Sequence, residues 1–134
     1  AVVWGNIKED EGTITGNIGR DPNDRLRFKV YADEDGRGKH AVTHYKVLER
    51  FGYVTVVECK LETGRTHQIR VHMAYIGHPV LGDDVYGKPF KGIDGQCLHA
   101  GKIGFVHPIT YEYMEFESEL PQYFHQVLEK VRRL

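Results

Sequence analysis

The stretch LETGRTHQIRVH, Leu61 to His72, is where the hydrophobic period of this chain changes. Upstream of it, Ala41 to Arg50 and Tyr53 to Glu62 read as two longer strands joined around Gly52. In the second of them, Val54, Val56 and Cys59 or Lys60 do not keep strict alternation, so a bulge is expected there. Downstream of Thr63-Gly64, Ile69, Met73 and Ile76 fall at i, i+4 and i+7, one face of a helix. Thr66 stands where an N-cap belongs, Gly77 where a helix stops, and Pro79 just beyond. The stretch is therefore a strand-to-helix junction, and Gly64 lets the chain turn sharply into it.

The rest of the chain follows the same punctuation. Ala1 to Gly5, with Val2, Val3 and Trp4 between, reads as the second half of a buried strand. It starts without an entry turn, which raises the expectation that the chain was cut from a longer one. Thr13 to Ile18 reads as a short strand ended by Gly19, Asp21-Pro22-Asn23-Asp24 as a turn, and Arg27 to Tyr31 as a strand. Asp33 to Lys39, with Gly36 and Gly38, is a hairpin-like connection, and Leu81 to Gly92 is loop. Leu98 to Val106 is read as a strand ended by Pro108, and Met114 to Ser118 as another. Pro121 to Leu134 is a final helix, with Phe124, Leu128 and Val131 on one face and Lys130, Arg132 and Arg133 suiting its C-terminal dipole. The sum is about six strands and two helices, an α+β fold with a largely antiparallel mixed sheet.

Composition narrows the function. The 134 residues are 40% hydrophobic and 28% charged, too apolar for disorder and long enough for one domain with a core. No apolar run reaches the ~18 residues of a membrane span. Two cysteines, Cys59 and Cys97, make no disulfide scaffold, so a reducing cytoplasm is expected. Ser118 is the only serine and lies in an acidic run, which argues against serine hydrolase chemistry. The net charge is −1, but it is unevenly spread. Arg20 to Lys46 holds seven Lys/Arg against five Asp/Glu, whereas Tyr111 to Glu119 holds four glutamates and no basic residue. A basic face is compatible with a neutral total, and so is an evenly solvated surface.

Chemistry concentrates at the junction. Arg65, His67 and Gln68 sit near a helix N-terminus, where free N–H groups and the dipole favour an anion, and Arg70 lies on the next turn. The planar fork of an arginine suits a phosphate or a carboxylate. An anion site and a solvated amphipathic helix start both fit this spacing. His67 and His72 are five apart, not the i, i+4 spacing that places two imidazoles on one helical face, so no metal site is expected. Asp83-Asp84 are adjacent in a loop, where one of them is expected to cap a turn.

TGRTHQIRVH at Thr63 to His72 resembles the signature of the RluA-type pseudouridine synthases, which isomerise uridine in ribosomal and transfer RNA. The resemblance continues through AVTHYKV at Ala41 to Val47, GHPVLGDDVYG at Gly77 to Gly87, LHA at Leu98 to Ala100, FVHP at Phe105 to Pro108 and LP at Leu120-Pro121. It implies no metal and no organic cofactor. It implies that Arg70 is the arginine that pairs with the family's catalytic aspartate. Arg65 and His67 are then candidates for phosphate contact or pocket shape, and Gln68 for RNA contact or loop support. Ile69 and Leu98 are candidates for the apolar wall under a flipped uracil, or for plain core. Asp83 and Tyr86 are expected to hold their loop against the helix. The family's Arg-Leu-Asp nucleophile motif does not occur in the sequence, and its active-site Tyr would fall two positions before Ala1. Residues 1–134 are thus expected to be the C-terminal part of a catalytic domain, inactive alone, in a protein acting on RNA, ribosomal large-subunit RNA first. An exposed sheet edge is expected to favour self-association. The alternative is a non-catalytic RNA-binding module with the same fold.

Overall fold

A computed structural model describes residues 1–32, 36–90, 95–106, 109–110 and 112–133. Asp33 to Asp35, Lys91 and Gly92 of the expected loop, His107, Pro108 and Leu134 lie outside the described residues. The described chain forms two compact units, Ala1–Cys97 and Leu98–Leu134.

The first unit holds strands β1 (Val2–Trp4), β2 (Glu11–Thr15), β3 (Asn17–Asp21), β4 (Asp24–Tyr31), β5 (Val42–Arg50) and β6 (Val54–Leu61), followed by helix α1 (Gln68–Tyr75). Four of these make one antiparallel sheet in the order β1-β6-β5-β2, and β3-β4 is a separate hairpin. The second unit holds β7 (Lys102–Val106), β8 (Tyr113–Glu117) and helix α2 (Gln122–Arg133), with β7 and β8 paired antiparallel. The α+β class is as expected, but the antiparallel pairing is distributed over three ladders.

Several expectations need correction. The strand read over Thr13 to Ile18 is two strands in different sheets. Gly16 separates them: its N–H donates to Ala41 O, and a Cβ there would lie 2.7 Å from a Val30 methyl. The bulge falls in β5 rather than β6. Val47 pairs with Val57 and Glu49 with Val56, which leaves Leu48 as the extra residue, 56% exposed. Alternation fails in β6 because Val54 to Val57 are all buried in an inner strand covered on both faces. The strand read from Leu98 starts only at Lys102, opposite Glu117, with one further backbone bond, from Ser118 N to Gly101 O at 2.7 Å, before the pairing ends. In α2, Phe124, Val127, Leu128 and Val131 are buried, the spacing of a helical stripe.

The edges of the large sheet differ. β1 is closed on its outer side by backbone bonds from Val2 to Cys97 and between Trp4, Leu81 and their partners in 79–81 and β1. β2 has one ladder partner, β5, among the described residues. The hairpin is extended by residues 38–41. Ile18 and Lys39 exchange two backbone hydrogen bonds of 2.9 Å. Two glycines permit this approach. A Cβ on Gly19 would meet Gly38 Cα at 3.0 Å, and one on Gly38, whose φ is +77°, would meet Ile18 C at 3.1 Å. Beneath the hairpin, Ile18, Ala41 and Val71 are buried together, with Phe28, Val30 and Tyr86 packed against them.

Gly38→Ala combines a left-handed backbone, costing about 1–2 kcal/mol for a residue with a Cβ, with a backbone clash. Gly52, φ +89°, has open space around it and carries the first cost alone. Urea unfolding is therefore expected to show a greater loss for Gly38→Ala than for Gly52→Ala; equal losses would mean that the close approach is not rigid.

Candidate functional site

α1 buries its polar residues. Gln68, Arg70, Val71, His72 and Met73 are buried, while Ile69 and Ile76 of the expected apolar stripe are only half-buried. Of the expected stripe only Met73 is fully inside; the inner face mixes Val71 and Met73 with hydrogen-bonded polar side chains. Gln68 shows how this is tolerated. Its Oε1 accepts from Thr63 Oγ1 at 2.7 Å and from Arg65 N at 3.0 Å. Its Nε2 donates to Val42 O and to Thr43 Oγ1, each at 2.9 Å. All four bonds of the amide are made within the protein, and the Arg65 bond ties the preceding turn to the start of the helix. Thr66 does not cap. The N-cap position belongs to His67, whose side chain makes no cap bond. The C-terminus ends on Gly77 as expected, with Gly77 N donating to Ala74 O and His78 N to Met73 O, the Schellman pattern.

His72 continues the network. Its Nε2 lies 3.1 Å from Gly16 O and its Nδ1 2.8 Å from Thr43 Oγ1. A carbonyl only accepts, so Nε2 carries the proton and Nδ1 accepts from the Thr43 hydroxyl, which accepts in turn from Gln68. Burial pushes the His72 pKa below its ordinary value, opposed by the bond to Gly16.

Arg70 faces Asp83 inside the unit. Arg70 Nε donates to Asp83 Oδ2 at 2.7 Å and Nη2 to Oδ1 at 2.9 Å, a bidentate pair whose side chains are 10% and 0% exposed. Asp83 Oδ1 also accepts the N–H groups of Val85 and Tyr86, at 3.0 and 3.1 Å. Burial alone would raise the Asp83 pKa; the hydrogen bonds from Arg70 and these two amides outweigh it and hold the carboxyl below its usual range. The bond to Asp83 likewise raises the Arg70 pKa. Two of the five guanidinium N–H groups are used, along the Nε–Nη2 edge. The remaining three, along the Nη1–Nη2 end, have no protein partner among the described residues.

Tyr86 joins this pair to the hairpin. The guanidinium carbons of Arg70 and Arg27 lie 5.1 and 5.3 Å from its ring centroid. Its hydroxyl accepts from Phe28 N at 2.8 Å and meets His67 Nδ1 at 2.9 Å. Because the hydroxyl already accepts from Phe28, its own proton is best placed on His67 Nδ1, and the neutral imidazole then carries its proton on Nε2. Burial, then the Arg70 charge, pushes the His67 pKa down, with Asp83 opposing. His67 is the one non-glycine with positive φ, +55°, among the described residues. Its ring packs edge-to-face on Phe28 and Tyr86 at 5.5 and 5.7 Å. Backbone strain of this kind persists where surrounding contacts over-determine the residue, and it gathers at functional sites.

Of the expected site residues, Arg70, His67, Gln68 and Arg65 therefore fall on one turn-and-helix segment. Arg65 donates Nε to His40 O at 2.8 Å. Ile69 is half-buried on α1, and Leu98 belongs to the second unit. Reading the sequence by spacing did not place Tyr86 between Arg70 and His67, nor His72 and Thr63 in the buried network. The signal available for those two was a polar residue every four or five positions on a helix flank.

A sequence profile described as RNA pseudouridylate synthase covers residues 1–75. The chain belongs to the RNA pseudouridylate synthase family. It is 57% identical to an uncharacterized RNA pseudouridine synthase of Bacillus subtilis, over 99% of this chain and 43% of that protein. It is 43% identical to ribosomal large subunit pseudouridine synthase D of Neisseria meningitidis, over 97% of this chain and 37% of that one. Among solved structures, human RNA pseudouridylate synthase domain containing 1 superposes with a TM-score of 0.74 at 28% identity, covering 100% of this chain and 64% of that chain. The chain spans less than half the length of these two curated relatives.

Two outcomes follow. Asp83→Asn leaves a buried guanidinium without its counter-charge and is expected to cost about 3–5 kcal/mol in urea unfolding, against under about 0.5 kcal/mol for Asp84→Asn at the exposed neighbour. The pH dependence has a fixed sign. His72 is neutral when folded and has a lowered pKa, so its contribution is complete above its ordinary value of 6.5 and declines as pH falls below it. Asp83, with a lowered carboxyl, adds a further loss below its ordinary value of 3.8. The urea midpoint is expected to fall between pH 7.5 and 5.5; a flat profile there would contradict a neutral buried His72.

Proposed function

We propose that this chain forms the arginine-bearing part of the site of an RNA pseudouridine synthase, and that the full-length protein isomerises uridine in ribosomal large-subunit RNA. The observation that carries the reading is the open end of the Arg70 fork. Asp83 grips one edge and fixes the guanidinium plane, so the other edge is ready for a second carboxylate. An aspartate nucleophile brought against it would be kept ionised by the arginine in a site that otherwise favours the proton. No Arg-Leu-Asp motif lies in these 134 residues, so that nucleophile comes from elsewhere in the full-length protein, and the chain alone is inactive.

The reaction needs the target uridine out of the stack, at an unstacking cost of a few kcal/mol. The N1–C1′ bond then breaks, the uracil turns, and C5 bonds to C1′; the C5 hydrogen leaves as a proton and N1 takes one up. In this reading neutral His67, with its proton on Nε2, is a hydrogen-bond donor beside that event and not a base. Family membership supports RNA as the partner. The ribosomal substrate is favoured because relatives carry that name. The two unpaired thiols fit a cytoplasmic setting.

The test uses the full-length gene product and ribosomal RNA carrying tritium at uridine C5, with tritium release as the readout. Wild-type protein should release it. Arg70→Lys keeps the charge but not the two-edged fork, and should lower the rate by about 10²-fold or more, with folding checked by thermal melting. Release within about threefold of wild type by a folded variant, the scatter expected of a bystander residue, would remove Arg70 from the mechanism.

A further inference from the structure

Arg20, Phe28, Lys39 and Arg65, far apart in sequence, line one cavity of about 490 Å³ together with Thr66 and the glycine backbones at 19, 38 and 64. The chain is close to neutral, yet the described lining holds three cations and no carboxylate. A concave site lined by one sign of charge concentrates the opposite sign. The volume falls in the ~300–1,000 Å³ range of sites that hold one small organic ligand, enough for a nucleotide.

The cavity is built by the fold. Lys39 is brought to the hairpin by the two-way backbone bond with Ile18, which Gly19 and Gly38 alone allow. Each arginine is steadied by one carbonyl: Arg20 Nη1 donates to Arg25 O at 2.7 Å and Arg65 Nε to His40 O at 2.8 Å. Their other N–H groups have no protein partner among the described residues. The Arg20 guanidinium carbon lies 5.0 Å from the Phe28 ring centroid, which makes a flat cationic platform.

We infer that this cavity is a subsite for one nucleotide of the RNA strand outside the isomerised one, with its phosphodiester between Arg65 and Lys39 and its base against the Arg20–Phe28 platform. The inference rests on the RNA reading above and adds a second point of grip to it. Phosphate contacts from arginine and lysine carry no sequence preference, and a guanidinium–ring platform stacks any base. The subsite therefore sets affinity and register, and leaves the choice of base to the reacting site.

The experiment measures binding of a single-stranded RNA by the full-length gene product at several salt concentrations. Each lost single-strand phosphate contact lowers the slope of log K against log[salt] by about 0.7. Arg20→Gln/Lys39→Gln should flatten the slope by about one contact or more and weaken RNAs of different sequence equally. Lys8→Gln/Lys60→Gln removes the same charge at exposed positions that do not line the cavity, and should leave the slope unchanged. If the first pair lowers the melting temperature, Lys39→Gln alone takes its place, at an exposed side chain, with one contact's change expected. An unchanged slope in the folded cavity variant overturns the subsite, as do equal changes in both pairs, which report net charge only. The two readings separate. Wild-type tritium release with no slope change in the cavity variant sinks the subsite alone. A slope change without tritium release from the wild type keeps the subsite and sinks the isomerase. Absence of RNA binding by the wild type sinks both.

Discussion

The bidentate bond between Arg70 and Asp83 is the constraint from which the first unit is organised. Two charges with almost no exposure are favourable only with good geometry and with every other lone pair satisfied. The geometry is bidentate, and on the Asp83 side further bonds are supplied by sequence-local means. Asp83 turns its own loop by accepting the amides two and three residues on, and that turn places Tyr86 under the arginine. Tyr86 in turn takes the Phe28 amide and the His67 ring, so the same ion pair fixes the hairpin and the strained start of α1. Remove the pair and these contacts lose their common anchor.

A hydrophobic helix in that position would be the simpler way to stabilise a sheet. α1 instead presents Gln68, Arg70 and His72 inward: Gln68 and His72 have every polar atom bonded, to β5, Gly16 or the 63–65 turn, and Arg70 has one edge bonded to the 81–87 loop. Such a network gains little over apolar packing when complete, but costs much when any member is misplaced. It therefore selects one register for the helix over the sheet. That is what a site needs when it must hold an arginine fork within a fraction of an ångström, because loose positioning is what weakens electrostatic catalysis.

Much of this fold was legible in the residues, and the failures have physical reasons. Turn chemistry at Asp21-Pro22-Asn23-Asp24 and Gly77 marked ends correctly, because turns depend on local backbone freedom. The two long strands around Gly52 were visible from their length and β-branched content. Gly16 was missed as a break, because what separates β2 from β3 is the approach of Val30 and Ala41, from strands distant in sequence. The inner face of α1 was legible only at Met73, because periodicity counts apolar residues, and here Gln68, Arg70 and His72 are buried beside Val71 and Met73. Thr66 had the composition of a cap, but the N-cap is the left-handed His67, which makes no side-chain cap bond, and the Gln68 side chain instead holds the preceding turn at Arg65, a role spacing alone does not reveal. Arg70 was legible as a site residue only through resemblance; its partner Asp83 looked like a turn residue, which it also is.

The strained His67 ties these points together. A left-handed N-cap without a capping side chain is an expensive way to begin a helix, about 1–2 kcal/mol above an ordinary one. It is held by Tyr86, which is held by Asp83, so the strain is opposed by the buried ion pair. The consequence is directional. The same left-handed backbone places His67 Nδ1 on the Tyr86 hydroxyl, which leaves the imidazole proton on Nε2. A neutral donor then stands one residue from Gln68 and three from Arg70, in a segment that also carries Arg65 on the cavity. The strained start thus puts Arg65, a neutral imidazole donor and a half-used guanidinium within six residues of one another.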